Sequence, residues 1–470
     1  MATATQTRKD SHLKTPPSTR ETSLIFGSLP DLQRDQLGFY MNAFKQYGDV
    51  VRFRAFGPIY GHVFFHPDDI DYILRRNNTN YHKGIAHQRF KSLLGEGLLT
   101  SEGKFWLKQR RLAQPAFHRQ RIAGFGTTMT NATASMIESW QSYAENDKAF
   151  DISAEMTRLT LQIVGQTLFR TDISGDEAKV VRDALYVALD YLNYRVAHFT
   201  LEPMEHIPTR RNRQYWKARR ILDKVVYEII AERRKSGEDT GDLLSMLLLA
   251  RDEETGEGMS DKQLHDEVMT LVLAGHETTA NTLAWTWYLL AQHADVERKL
   301  HDELARVLGG RVPTVEDLQS LPYMKMVIEE SLRLYPPAWG MSRHAVADDE
   351  IRGYRVPAGG EVAVVQYVTH RHPEFWDNPE AFDPERFTPE RSAGRPNFAY
   401  FPFGGGPRLC IGNAFALMEA QLILATVAQA YRLLLVPGQT IEPEPIITLR
   451  PRRGISMTLE PVSVSSSSLV

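Results

Sequence analysis

The sequence predicts a mainly α-helical fold with a small β region, built as a single large domain. Long stretches with apolar residues at helical spacing dominate the chain: 104–144, 152–170, 175–196, 210–236, 260–292, 294–308 and 322–334. Strand-like runs are few, short and set beside turns. No linker, internal repeat or shift of composition interrupts residues 40–460, which argues against several domains.

Taken in order, residues 1–22 are polar and contain Pro16-Pro17, so a flexible N-terminal segment is expected. Val50–Phe56 and Gly61–Phe65 flank Gly57-Pro58 and read as a β-hairpin. Ser260 and Gln263 form a capping-box pattern, and no proline follows for thirty residues. A helix of that length spans roughly 45 Å. It is apolar nearly all round from Val268 to Leu290, as a helix buried through a core must be. Glu361–Gln366 follows a Pro-Ala-Gly-Gly turn and reads as a strand, and Asn413–Leu434 as an apolar helix. Ile446–Leu449 and Ile455–Leu459 read as a terminal strand pair, and 461–470 as a flexible tail ending in a serine run.

The formal net charge of −3 gives no electrostatic reason to expect a nucleic-acid partner. No run of 18 apolar residues exists and the N-terminus lacks an apolar signal core, so a cytoplasmic protein without a membrane anchor is expected. A single cysteine excludes an intramolecular disulfide and agrees with a reducing compartment.

That cysteine, Cys410, lies in Phe403-Gly404-Gly405-Gly406-Pro407-Arg408-Leu409-Cys410-Ile411-Gly412. Three glycines and a proline permit a tight turn with close backbone approach to a bound group. A helix N-terminus just downstream favours a thiolate, and Arg408 suits an acidic group of a cofactor. An axial ligand to haem iron is one reading; a small buried hydrophobe in a glycine-rich turn is the other.

The string resembles the cysteine-ligand signature of the cytochrome P450 family at Phe403, Gly406, Arg408, Cys410 and Gly412. Ala274-Gly275-His276-Glu277-Thr278-Thr279, mid-way along the long helix, resembles the family's acid–alcohol motif. That resemblance implies that Glu277 and Thr278 deliver protons while dioxygen is activated at the haem. The competing reading has Thr278 merely bonding back to the carbonyl of Ala274. His276 is given no role. Glu330-Ser331-Leu332-Arg333 resembles the family's Glu-x-x-Arg motif, whose implied third partner is Arg386; these three are structural. Glu303 and Arg306 show the same spacing but lack the Leu-Tyr-Pro-Pro that follows Arg333.

The resemblance also implies cations for the two haem propionates: Arg408, Arg343, and Arg110 with Trp106 as an indole donor. Trp216 and Arg220 repeat the Trp-x-x-x-Arg spacing, and Gly97-Leu98-Leu99-Thr100 before Trp106 decides between them. An uncharged pocket is expected from Leu271, Ala274, Ala338, Trp339, Met341 and Ile447.

What the resemblance implies is a haem-thiolate monooxygenase with haem b over residues 23–460. It inserts one oxygen atom of O2 into a C–H bond or C=C of a hydrophobic terpenoid, fatty acid, steroid or macrolide. No flavin or nicotinamide domain fits in the chain, so electrons come from a ferredoxin- or flavodoxin-type donor with its reductase. A basic set at Lys108, Arg110, Arg111, Arg119 and Arg121 is the expected docking face on a monomer. The Arg210–Arg220 run reads as a solvated helix face, with an entrance for an anionic substrate as the alternative. A haem-thiolate dehydratase or isomerase, or a gas sensor, would need Cys410 without Glu277 and Thr278.

Overall fold

The computed structural model describes residues 13–57, 59–170, 176–197 and 206–462. They form two compact units, each assembled from separate stretches. One comprises the chain up to Gln88, Trp339–Glu380 and Gly394–Cys410; the other comprises Arg89–Ala338, Ala381–Ala393 and the chain from Ile411 on. The chain passes repeatedly from one to the other, so no linker in the sequence marks them.

The first unit is built on a five-stranded sheet. Val50–Phe56 and Ile59–Phe64 form the expected hairpin, with Val50 opposite Phe64. Glu361–Val364 runs parallel to Ile59–Phe64, Met341–Ala345 runs antiparallel to Glu361–Val364, and Tyr81–Lys83 closes the edge. Side chains alternate across the sheet as strand geometry requires. Phe64 packs with Ile70, Ile73, Val362 and Val364, whereas Val63 and Phe65 pack with Tyr40, Phe53 and Val368. The strand stops at Val364 rather than Gln366, and Gln366–Thr369 turns into a short helix.

The N-terminal segment departs from expectation. Thr19 N–H donates to Arg52 O, Arg52 N–H to Pro17 O, and Lys14 N–H to Gly353 O. The outer edge of Val50–Phe56 offers unpaired backbone groups at Arg52, and Pro17 and Thr19 use them, while Lys14 bonds to the 353–355 turn. Residues 1–12 of the expected flexible segment, and 463–470 of the tail, lie outside the described residues.

The second unit is helical. The stretch read as 104–144 is broken, because Pro115 has no amide hydrogen to continue a helix. Gly103–Ala113 gives way to a 3-10 turn at Gln114–Phe117, then Arg119–Ala123 and Gly126–Glu145. Ile152–Phe169, Asp176–Ala197, Arg210–Ser236, Ala294–Leu308 and Pro322–Leu334 follow the sequence pattern closely. Asn413–Ala430 ends earlier than expected. Tyr431–Leu435 leaves it as a strand, which pairs with Ser456–Pro461, itself paired with Phe150–Asp151. The expected pairing of 446–449 with 455–459 is therefore wrong: Leu449–Pro451 pairs with Pro443–Pro445.

The long helix runs Asp261–Leu290 and begins with the capping box of Ser260 and Gln263. Ile152–Phe169 packs on its middle so closely that a Cβ on Gly275 would meet Val164 at 3.1 Å. Thr160 Oγ1 donates to His276 O across that contact (2.9 Å). Near its C-terminal end, fully buried Trp285 stacks on Tyr335 and donates Nε1–H to Leu449 O. Among the described residues, no helix is long and apolar enough to cross a membrane.

Candidate active site

In the first unit, the cysteine loop is a tight turn in which Cys410 N–H donates to Phe403 O and Leu409 N–H to Gly406 O. Gly406 has φ +65°, and a Cβ there would fall 2.0 Å from the carbonyl oxygen of Leu74. Only glycine fits. Cys410 itself is exposed.

Arg343, on the strand Met341–Ala345, is buried and lies opposite Lys83 in the sheet register. Its guanidinium donates to Ser342 O (2.9 Å) and meets the sulfur of Met341 (3.5 Å). Burial holds His87 well below the ordinary imidazole range, and Arg343, Lys83 and Arg408 push it further down. Three cations thus converge on one imidazole, a place suited to a group carrying more than one carboxylate. Among the described residues, no group of three or more His, Cys, Asp or Glu side chains could hold a bare metal ion. A thiolate at Cys410 with Lys83, Arg343 and Arg408 in the same unit fits haem, whose iron takes a thiolate and whose propionates call for cations.

Two residues expected to line the pocket make contacts within the first unit. Trp339 is packed with Tyr40 (ring centroids 6.3 Å apart) in the cluster of Phe53 and Phe65, because an indole fills that aromatic layer well. Met341 is occupied by Arg343 and approaches Gly404.

In the second unit, the long helix is buried on almost every side, yet Ala274 is exposed, alone among residues 263–290. Leu271, Val272, Gly275, Glu277 and Thr278 around it are half-buried. Thr278 Oγ1 donates to Ala274 O (2.7 Å), the back-bond that the sequence left open. Glu277 is anchored as the sequence did not foresee: Thr448 Oγ1–H donates to its Oε1 (2.7 Å), and Asn281 Nδ2–H donates to Thr448 Oγ1 (3.0 Å). Burial lowers His276, whose Nδ1 bonds to Val272 O. Glu419, fully buried on Asn413–Ala430 and close to Thr279, is pushed up to about 8 by burial. No motif flagged Thr448, Lys83 or Glu419, because each matters through a distant neighbour. Ile447 N–H reaches Asn193 Oδ1, while Ala338 is half-buried.

Glu330, Arg333 and Arg386 come together as expected. Arg333 donates Nε–H to Glu330 Oε2 (2.6 Å) and Nη2–H to Oε1 (2.8 Å), and Arg386 Nε lies 3.3 Å from the same carboxylate. Glu303, with the same spacing to Arg306, does different work: it accepts Tyr323 and Met324 N–H at the start of Pro322–Leu334. Trp106 is buried and Arg110 half-buried on Gly103–Ala113; Gly412 precedes Asn413–Ala430 at its N-cap. The basic set is less cationic than its sequence: Lys108 pairs with Glu257, and Arg111 with Asp252 and Glu254. Arg119 and Arg121 remain exposed.

The model of the family described as cytochrome P450 matches residues 16–459. The chain belongs to that family. It is a haem-thiolate monooxygenase that carries haem b and takes its electrons from a redox partner. This cytochrome P450 is 41% identical over 417 residues to a cyclooctat-9-en-7-ol 5-monooxygenase of Streptomyces melanosporofaciens, covering 89% of each chain. It is 33% identical to a pentalenene oxygenase of Streptomyces avermitilis, over 91% of this chain and 94% of the relative. Among solved structures, the haem domain of cytochrome P450DA superposes with a TM-score of 0.88 at 29% identity, over 96% of this chain and 99% of that one.

Proposed function

We propose that this P450 oxygenates a cyclic terpenoid at the face of the long helix around Ala274. One observation carries the reading: on a helix otherwise buried, Ala274 is exposed and Leu271 and Gly275 around it are half-buried, all apolar, beside an acid–alcohol pair. A bulky hydrocarbon skeleton suits such a face. The relatives named for cyclooctat-9-en-7-ol and pentalenene oxidation support that substrate class.

In this reading the Cys410 thiolate would hold the haem iron, and its turn depends on the glycine at 406. Arg343 and Arg408 would hold the haem carboxylates with Lys83 nearby, and Trp106 and Arg110 would take the same duty from the family motif. Haem, when bound, supplies the activation of dioxygen. Thr278 holds a proton at Oγ1 after giving up its bond to Ala274 O. Glu277 replaces that proton from water through its half-buried carboxylate. Leu271, Ala274 and Ile447 orient the substrate and exclude water from it.

An acidic ferredoxin-type protein is the proposed electron donor. Arg119 and Arg121 are its contact on this chain, since Lys108 and Arg111 are neutralised within it. Cytoplasmic operation as a monomer belongs to the same reading.

An optical titration of the ferric holoenzyme tests the substrate class. Cyclooctat-9-en-7-ol or pentalenene is expected to shift the Soret band to the blue, while palmitate and progesterone leave it unmoved. A shift with palmitate or progesterone and none with either terpenoid overturns the terpenoid reading. Thr278→Ala tests the relay: reductant consumption is expected to persist while peroxide replaces product.

A further inference from the structure

We propose that Thr448 is a positioning residue for the proton relay: its hydroxyl fixes the Glu277 carboxylate in the orientation from which it serves Thr278. The inference rests on the relay reading of Glu277 and Thr278 given above.

Glu277 lies one residue before Thr278 on the long helix and is half-buried, so its side chain has room to swing. A glutamate has three side-chain torsions, and a proton carrier that wanders among rotamers spends little time within reach of its acceptor. The only hydrogen-bond partner of Glu277 among the described residues is Thr448 Oγ1, which donates to Oε1 at 2.7 Å. Oε2 has no hydrogen-bond partner among the described residues. The Thr448 hydroxyl has one hydrogen to give, and its direction is set by a second contact. Asn281 Nδ2–H donates to Thr448 Oγ1 at 3.0 Å, so the oxygen accepts from asparagine and its hydrogen points to glutamate. Thr448 and Asn281 are both buried, which shields this chain of bonds from competing water.

The backbone around Thr448 is held equally firmly. Leu449 N–H donates to Pro337 O, Leu449 O accepts Trp285 Nε1–H, and Ile447 N–H donates to Asn193 Oδ1. Asn281 and Trp285 stand one turn apart on the helix that carries Glu277, so donor and acceptor share one rigid support. Thr448 also adjoins Ile447, a proposed wall of the substrate pocket. The same short segment therefore touches substrate and orients the acid.

Four variants of the holoenzyme decide the matter: Thr448→Val, which keeps shape and removes the hydroxyl; Thr448→Ser, which restores it; Asn281→Ala; and Glu277→Gln. The first readout needs no turnover. The infrared difference between wild type and Glu277→Gln isolates the carboxylate band of Glu277. In Thr448→Val this band is expected to shift and broaden, and in Thr448→Ser to return. The second readout is product formed per reductant consumed, with cyclooctat-9-en-7-ol as the probe. A loss of about threefold to tenfold with matching peroxide release is expected for Thr448→Val, a smaller loss for Asn281→Ala, and recovery in Thr448→Ser. Melting temperature and probe-induced spectral shift should remain near wild type in Thr448→Val. An unmoved carboxylate band overturns the proposal. So does intact coupling in Thr448→Val when Glu277→Gln uncouples. Intact coupling in Glu277→Gln itself removes the relay reading, and this inference falls with it.

Discussion

Glu330→Gln perturbs a fully buried carboxylate in the second unit. Glu330 and Arg333 have no solvent exposure, and the Arg386 side chain has 4%. The carboxylate accepts Arg333 Nε–H and Nη2–H, accepts Asp383 N–H at 3.0 Å, and lies 3.3 Å from Arg386 Nε. Glutamine keeps the shape but removes the single negative charge between two buried guanidiniums, and it turns one acceptor oxygen into a donor facing another donor. Breaking a buried pair from one side costs about 3–5 kcal/mol, on the order of a hundredfold to several thousandfold in the folded-to-unfolded ratio. Glu385→Gln is the control. It breaks the Lys299–Glu385 pair at 2.6 Å, whose side chains are 46% and 48% exposed, and such pairs are worth about 0–1 kcal/mol. Urea unfolding of the holoenzyme, followed by tryptophan fluorescence and by loss of the haem spectrum, compares the two. Glu330→Gln is expected to unfold at far lower urea and to release haem first, because Asp383 and the 384–387 turn lose their anchor. Equal midpoints for both variants would refute the reasoning.

Other outcomes follow from single sites. Gly406→Ala places a Cβ 2.0 Å from Leu74 O at a positive φ, so the purified variant should retain little haem, as its absorbance ratio will read. Burial raises Glu419 to about 8, so the folded protein keeps a proton that the unfolded chain releases above its ordinary value near 4.5. Stability should therefore fall as pH climbs from 4.5 towards 8, and Glu419→Gln should gain melting temperature at pH 8 but not at pH 4.5. Burial works to lower His265, yet its bonds to Asp223 (3.0 Å) and Asp266 (3.2 Å) outweigh that and raise it. The raised value means that protonated His265 ties Arg210–Ser236 to the long helix at low pH and loosens as pH rises through its folded value. Protection of Arg210–Ser236 relative to the intrinsic base-catalysed exchange rate should fall as pH climbs above the ordinary imidazole value of 6.5 in wild type, and should not do so in His265→Gln.

The helices and the glycine turn were readable in the sequence because each is set by local rules: spacing, capping and the φ demanded at one residue. Glu330, Arg333 and Arg386 were readable because the motif carries its own context in the Pro-Pro that follows. The errors sit where a distant partner decides. Residues 14–19 look like a loose leader until Arg52 bonds with Pro17 and Thr19, and Gly353 with Lys14. Tyr431–Leu435 continues an apolar helix on paper, yet it takes strand form because Ser456–Pro461 is there to pair with it. Lys108 and Arg111 count as charge in a sequence and as ion pairs in the fold. Thr448 could not be found from a motif, since its meaning lies in Glu277, across the unit from it in sequence but 2.7 Å away.

Incubation of the holoenzyme with cyclooctat-9-en-7-ol, a ferredoxin and its reductase under ¹⁸O2, followed by mass spectrometry of the product, tests the central claim most directly. One ¹⁸O atom in the product, absent when the label is in water instead, is the predicted result. A product whose new oxygen comes from water, or a rearranged product with no added oxygen, would contradict it.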